Sequence, residues 1–365
     1  MSRGRILFFA DASHVHTRRW VQAMAERGFD CVVATRLPGA INGAEVVAVQ
    51  PGGDASGWFR AVPAVRALAA RFEPKWIHGH YVTSYGMWAA ACRGIAPVVL
   101  TAWGSDVLVT PRERGWRGSL MRGLLGWTLR RADLITADAR DVLDEIVRYG
   151  VTAPLQEVLW GVDTQCFKPA PVPPADDVRF ELVSLRQWEP NYRIELLVRA
   201  FARLRAARPA LRTRLTLLGG GSLAPQLRTL VAELELDEQA VQLIGRVDDA
   251  GMVAALQRAD VSVSVPASDA TSVAMLESMA CALPVVASDL PANHSWIDVA
   301  QRVPVDDLEA LTAALLRLAD DPVSRRAIGS RNREAVLRRA ARATHMDHMA
   351  SMYESLHASE RGIAA

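Results

Sequence analysis

Glu277 sits in a run that otherwise reads as core. In SDATSVAMLESMACALPVVASD, Ser268 to Asp289, it is surrounded at helical spacing by Val273, Met275, Leu276, Met279 and Ala280. An unpaired carboxylate buried among such neighbours is costly, so it needs a partner, from the protein or from a ligand. Just upstream, Thr271 or Ser272 can cap the helix. A helix start built of small residues offers free N–H groups and the positive end of the dipole to an anion. Two further segments end in suitable groups: RFELVSLR on Arg186, and RTRLTLLGGG on Gly219 to Gly221, where backbone can approach a ligand closely. Together these describe a phosphate site faced by Arg186 or Arg193. Taken singly, the glycines read as a plain strand-to-helix turn and Arg186 as solvated surface.

The first half carries its own candidates. His78 and His80 in WIHGHY alternate onto one strand face, near the strand end. Asp106 in WGSD lies at another strand end, placed either to accept from an acceptor hydroxyl or to cap the next helix. Ser13, His14 and His16 in DASHVHTRRW follow the first strand and are candidates for contact with phosphate or acceptor. No Gly-rich P-loop or GxGxxG accompanies them.

These residues need elements to hold them. RILFFAD, FDCVVAT, WIHGHY, PVVLTAWGSD and LITAD read as strands, and HTRRWVQAMAERG as a helix closed by Gly28. FKPAPVPPADD, with Pro169, Pro171, Pro173 and Pro174, breaks the pattern as a stiff linker. Strands then resume in RFELVSLR, RTRLTLLGGG, AVQLIGRV, ADVSVSVPAS and LPVVASD, with the helix IELLVRAFARLRAARP between the first two. From Asp307 onward the pattern is continuously helical. Strands alternating with helices predict a parallel α/β sheet in each half. We expect domains over 1–166 and 179–342, a linker over 167–178, and a last helix over 343–365. In open α/β sheets ligands bind beyond the carboxyl ends of the strands.

The chain has 365 residues, half of them hydrophobic, 22% charged, with net charge +2. That composition suits a globular protein of two domains and implies no polyanionic partner such as nucleic acid. Cys31, Cys92, Cys166 and Cys281 are scattered without CxxC spacing, which argues against a disulfide framework or zinc site and fits a reducing cytoplasm. The N-terminal apolar run is too short for a signal peptide, and no segment is long enough to span a membrane. Arg112 to Asp133, RERGWRGSLMRGLLGWTLRRAD, is basic and carries Trp116 and Trp127. Its arginines spread around a helical wheel and its glycines weaken a helix, so it reads as solvated and partly core-packed, with peripheral membrane contact as the second reading.

EVLWGVDTQCFKP, LLGGGSLAPQLRTLV, VQLIGRV and LESMACALPVVASDLPANHSWI resemble the retaining glycosyltransferases of family 4, which have the GT-B fold. WIHGHYVTSYGMWAA and VVLTAWGSDVL are similar to that family's first domain. The resemblance implies two Rossmann-like doubly wound domains facing a cleft, the first binding acceptor and the second nucleotide sugar, with a C-terminal helix crossing back to the first. It implies that Glu277 holds the ribose diol and that Asp269, one carbon–carbon bond shorter than the family's Glu, lies by the transferred sugar. Alternatively Glu277 is a packed acid bonded to backbone, and Asp269 a turn residue before a helix. It further implies that Ala270, Thr271 and Ser272 offer N–H groups to sugar and phosphate, that Arg186 binds diphosphate, that Arg246 and Val247 meet the base, and that His80 meets the sugar. Asn191 stands where the family has Lys, with Arg193 placed to restore the charge, and Ala282 replaces a common Gly.

The expected reaction moves a sugar from a nucleotide-diphosphate donor, UDP-linked or GDP-linked with UDP favoured, to a hydroxyl on a sugar, glycolipid or small molecule. Configuration is kept, and neither metal nor cofactor is needed. Two alternatives remain: a catalytically weakened partner that binds nucleotide sugar, or another GT-B enzyme such as a sugar-nucleotide epimerase.

Overall fold

Short apolar runs form two parallel sheets. The computed structural model describes residues 2–50, 56–109, 115–171 and 179–363. The latter part of the expected linker, 172–178, and the arginines at 112 and 114 lie outside the described residues. The chain divides into two compact units, residues 1–160 with 343–365, and residues 161–342.

In the first unit the strands are β1 (Arg5–Phe9), β2 (Asp30–Thr35), β3 (Ala44–Ala48), β4 (Trp76–His80), β5 (Val98–Thr101), β6 (Leu134–Ala137) and β7 (Leu155–Glu157). All pair in parallel, in the order β3-β2-β1-β4-β5-β6-β7. Helices α1 (Val15–Glu26), α2 (Gly57–Arg60), α3 (Val62–Phe72), α4 (Tyr85–Ala91), α5 (Ser105–Leu108), α6 (Trp116–Leu129) and α7 (Arg140–Val147) lie between them. A parallel sheet covered on both faces explains why β4 and β5 are buried at every residue and do not alternate. The order reverses between β1 and β4, which places the ends of those strands, Ala10 to His14 and His80, at the switch point.

The second unit repeats the plan. Its strands are β8 (Arg179–Ser184), β9 (Arg212–Leu218), β10 (Val241–Gly245), β11 (Val261–Ser264), β12 (Val285–Ser288) and β13 (Arg302–Val303), in the order β10-β9-β8-β11-β12-β13. Helices α8 (Ile194–Ala207), α9 (Ala224–Glu233), α10 (Asp249–Arg258), α11 (Val273–Ala280), α12 (Leu308–Asp320) and α13 (Pro322–Arg339) complete it. Here the reversal lies between β8 and β11, the strands that lead to Arg186 and Asp269. Both units are doubly wound and Rossmann-like. The final helix, α14 (Arg342–Ile363), packs on the first unit. Tyr353 Oη lies 2.5 Å from His78 Nδ1, and its ring meets Phe29 and Trp76. Arg27 pairs with Asp347, and Arg3 with Glu354.

α11 ends in a strained turn. Ala282 has φ +61°, a left-handed conformation that costs a residue with a Cβ. Its carbonyl lies against Gly329 of α13, so the two helices meet where one residue has no side chain. We expect Ala282→Gly to stabilise the protein by about 1 kcal/mol. Denaturant titration checks this: the midpoint should rise with the slope unchanged.

Candidate donor and acceptor site

In the second unit, β8 runs out at Ser184 and delivers Arg186 to the switch point. Its guanidinium is held on three sides. Nη1 donates to Ser272 Oγ at 2.5 Å, Nη2 lies 2.8 Å from Asp269 Oδ2, and Cζ stands 4.3 Å above the Tyr192 ring. Ser272 is also the N-cap of α11, accepting from Met275 N–H. Burial pushes the Asp269 carboxyl above its ordinary range, and Arg186 opposes that shift. Ala270, Thr271 and Ser272 are all buried, as is Glu277 one turn into α11.

The glycines close under this loop. Gly219 has φ +115°, and a Cβ there would sit 2.5 Å from the Arg186 carbonyl oxygen. Gly220 C=O accepts from Trp188 N–H, and Ser222 gives both its N–H and its hydroxyl to Glu189. Gly221 lies directly below the Trp188 carbonyl. Arg246 is exposed just after β10, its side chain running past Gly220, and Val247 follows half-buried.

Arg193 does not join Arg186. It occupies a left-handed position after the turn Pro190–Tyr192, and its guanidinium pairs with Asp306 at 2.5 Å and with the Pro190 carbonyl. The charge that Asn191 lacks is therefore not restored from Arg193 in this arrangement. Asn191 instead braces the loop: its Nδ2 donates to Ser268 C=O and its own C=O accepts from Ala267 N–H. Sequence reasoning missed Tyr192 as the platform under Arg186. Its only signal was proximity to Asn191, and nothing in the residue order shows that the turn lays the ring beneath the guanidinium.

In the first unit, His80 closes β4 and is 1% exposed. Neither ring nitrogen has a hydrogen-bond partner among the described residues. Burial, with His14 adding to it, lowers its pKa to about 3, so the ring is neutral at physiological pH. His78 shares the face, with ring centroids 4.5 Å apart, but is fully engaged: Nε2 lies 2.7 Å from Thr101 Oγ1 and Nδ1 meets Tyr353. Around His80 stand the rings of Trp20, Trp103 and Trp160. His14, the N-cap of α1, lies 4.7 Å from Trp103, and His16 lies 5.3 Å from Trp160. Ser13 is turned onto Asp11, giving it both N–H and hydroxyl bonds. The tryptophans were not among the expected site residues. Tyr81, directly after His80, has φ +64°, a left-handed conformation rare for a bulky residue.

Asp106 is held by backbone and, since the N-cap of α5 is Gly104, is not the cap of the next helix. It is wholly buried, and its oxygens accept from the backbone N–H groups of Val82 at 2.6 Å and Trp103 at 2.9 Å. It ties the loop after β4 to the loop after β5. Burial raises its pKa to about 6 against those stabilising bonds.

The family described as glycosyl transferase 4-like matches residues 5–139, and glycosyl transferases group 1 matches residues 180–321. The phosphatidyl-myo-inositol mannosyltransferase of Mycolicibacterium smegmatis is 30% identical over 194 residues, 50% of this chain and 47% of that protein. The D-inositol 3-phosphate glycosyltransferase of Kineococcus radiotolerans is 31% identical over 222 residues, covering 53% of this chain and 50% of the relative. The chain thus spans about half the length of these curated relatives. Among solved structures, sucrose-phosphate synthase from Thermosynechococcus elongatus superposes with TM-score 0.84 at 19% identity, covering 98% of this chain and 100% of the other. Anabaena Alr3699/HepE in complex with UDP-glucose gives 0.80 at 16% identity, covering 97% and 100%. The superpositions show the GT-B fold, and with a glycosyltransferase family matched in each half the chain belongs to the glycosyltransferases of the family 4 type.

Proposed function

We propose that the chain transfers a hexosyl group from a nucleoside-diphosphate sugar to an acceptor hydroxyl, with retention of configuration and without a metal ion. The observation that carries this reading is the Arg186–Ser272–Asp269 group at the amino end of α11, on the switch point of the second sheet. Relatives named as mannosyltransferases and a structural neighbour described with UDP-glucose support a sugar-nucleotide donor. One relative is named as GDP-mannose-dependent, so both bases belong in the test.

In this reading negative charge grows on the departing diphosphate as the sugar becomes oxocarbenium-like. Arg186 and the N–H groups at the start of α11 stabilise that charge. Glu277 holds the ribose diol, Arg246 and Val247 meet the base, and His80 gives a neutral hydrogen bond to a sugar hydroxyl. The departing phosphate takes the acceptor's proton on the same face. His14, His16 and the surrounding tryptophans form the acceptor side. The test is nucleotide release from UDP- and GDP-sugars, with and without EDTA. Release that Glu277→Ala and Arg186→Ala leave unchanged would falsify the reading. Nucleotide binding without turnover favours the non-enzymatic partner, and donor conversion without a transfer product favours the epimerase.

The acceptor side extends to a membrane surface through α6. The helix forms despite its glycines and turns Trp116, Leu120 and Trp127 outward at 73%, 60% and 39% exposure. These positions lie along one stripe with Gly123, flanked by the exposed Arg122 and Arg130, and the helix carries no acidic residue. An apolar stripe edged by arginine suits an anionic lipid surface. Among the described residues no helix is long and apolar enough to cross a membrane. Flotation with vesicles containing anionic lipid should carry the protein up, and Trp116→Ala/Trp127→Ala should cut that fraction several-fold. Equal flotation of both proteins would count against α6.

A further inference from the structure

We propose that Asp269 is an internal counter-ion, which the donor's diphosphate must displace from Arg186 before the site is productive. This rests on the reading of Arg186 as the diphosphate-binding group. The Asp269 carboxylate occupies a group that an incoming diphosphate would use: the Arg186 guanidinium, 2.8 Å away at the approach to α11. It therefore satisfies, in the ligand-free protein, a buried cation that would otherwise be costly. A diphosphate cannot take the same place without bringing its charge against that carboxylate, and like charges at such range repel strongly.

Binding is then an exchange of one anion for another on a cation that stays put. Two contacts keep Arg186 in position while its partner changes. Tyr192 holds the guanidinium face at 4.3 Å, and Ser272 holds Nη1. Neither is an anion, so neither competes with phosphate. Tyr192 is thus a positioning residue acting through Arg186. The Asn191 bonds to Ser268 and Ala267 fix the backbone on which Asp269 swings, so the exchange needs only the Asp269 side chain to turn.

Calorimetric titration with UDP and GDP alone tests this in the whole protein. Asp269→Asn should bind the preferred nucleotide about tenfold more tightly than the unsubstituted chain, because a competing charge is gone. Its melting temperature without ligand should fall, and the nucleotide-induced rise should grow. A substitution that merely damaged the site would not raise affinity. Arg186→Ala should lose binding at least tenfold. Should Asp269→Asn fail to fold, a crystal structure of the unsubstituted protein with the nucleotide gives the answer. The Asp269–Arg186 pair should there be open beyond about 4 Å, the usual limit for an ion pair. Unchanged or weaker binding by Asp269→Asn, or a closed pair beside bound nucleotide, overturns the exchange while leaving the donor site standing. Nucleotide binding untouched by Arg186→Ala overturns the donor site itself.

Discussion

Arg186→Ala is expected to slow donor turnover by about 10³-fold, measured as nucleotide release at saturating acceptor. The guanidinium is pre-set by Ser272 and Tyr192, so it requires no reorganisation when charge develops. The loss should appear chiefly in kcat/KM for donor, since in the proposed role the group would meet both bound diphosphate and its leaving form. Stability will fall too, because Asp269 is left half-buried without its cation. The double variant Arg186→Ala/Asp269→Asn separates the two effects. It should recover most of the lost stability and none of the turnover. Arg186→Lys should fall between: it keeps the charge but cannot fork between Ser272 and Asp269 while lying flat on Tyr192. Full activity in Arg186→Ala would remove the diphosphate from this position.

Gly219→Ala is expected to cost about 3 kcal/mol and to weaken donor binding at the same time. Two causes add. A φ of +115° is a conformation that residues with a Cβ rarely adopt, and the new methyl would meet the Arg186 carbonyl oxygen at 2.5 Å. Relief requires the loop after β8 to shift, and that loop carries the guanidinium. Gly220→Ala is the control. Its Cβ would meet only the Arg246 side chain, at 3.7 Å, an ordinary contact. Denaturant unfolding should therefore separate the neighbours clearly, with Gly220→Ala near the parent. Similar stability for the two variants would show that the close approach is not what holds Arg186.

Most strands that sequence patterning reveals are buried on both faces, such as β1, β4, β5, β11 and β12, while the edge strand β10 shows through its apolar residues Val241, Leu243 and Ile244. β3 and β7 were not visible because they lie at sheet edges with solvent on one side, and β13 has only two residues. β3 and β7 carry mixed residues and lack the apolar run that marks a central strand. At the site, Arg186, Asp269 and Ser272 are legible because each sits just past a strand or at a helix start, and topology brings those places together. Arg193 is not, because the left-handed backbone after Pro190–Tyr192 turns it towards Asp306, and sequence distance does not encode that turn. The ring cluster around His80 was hidden for a related reason. Trp20, Trp103 and Trp160 come from three separated segments, and none shows a local pattern that links it to His80.

The seat of α14 on the first unit carries a consequence for biosynthesis. His78 and Tyr353 are 275 positions apart, and the ion pairs of Arg3 and Arg27 reach equally late residues. At about 5–20 residues per second, the segment made first waits many seconds for its last helix to leave the ribosome. During that time the second unit can fold while the first still exposes the apolar groove around Phe29 and Trp76. Nascent chains should therefore engage chaperones through their amino-terminal half, and a stop codon before Tyr353 should leave that half, not the second unit, prone to aggregation.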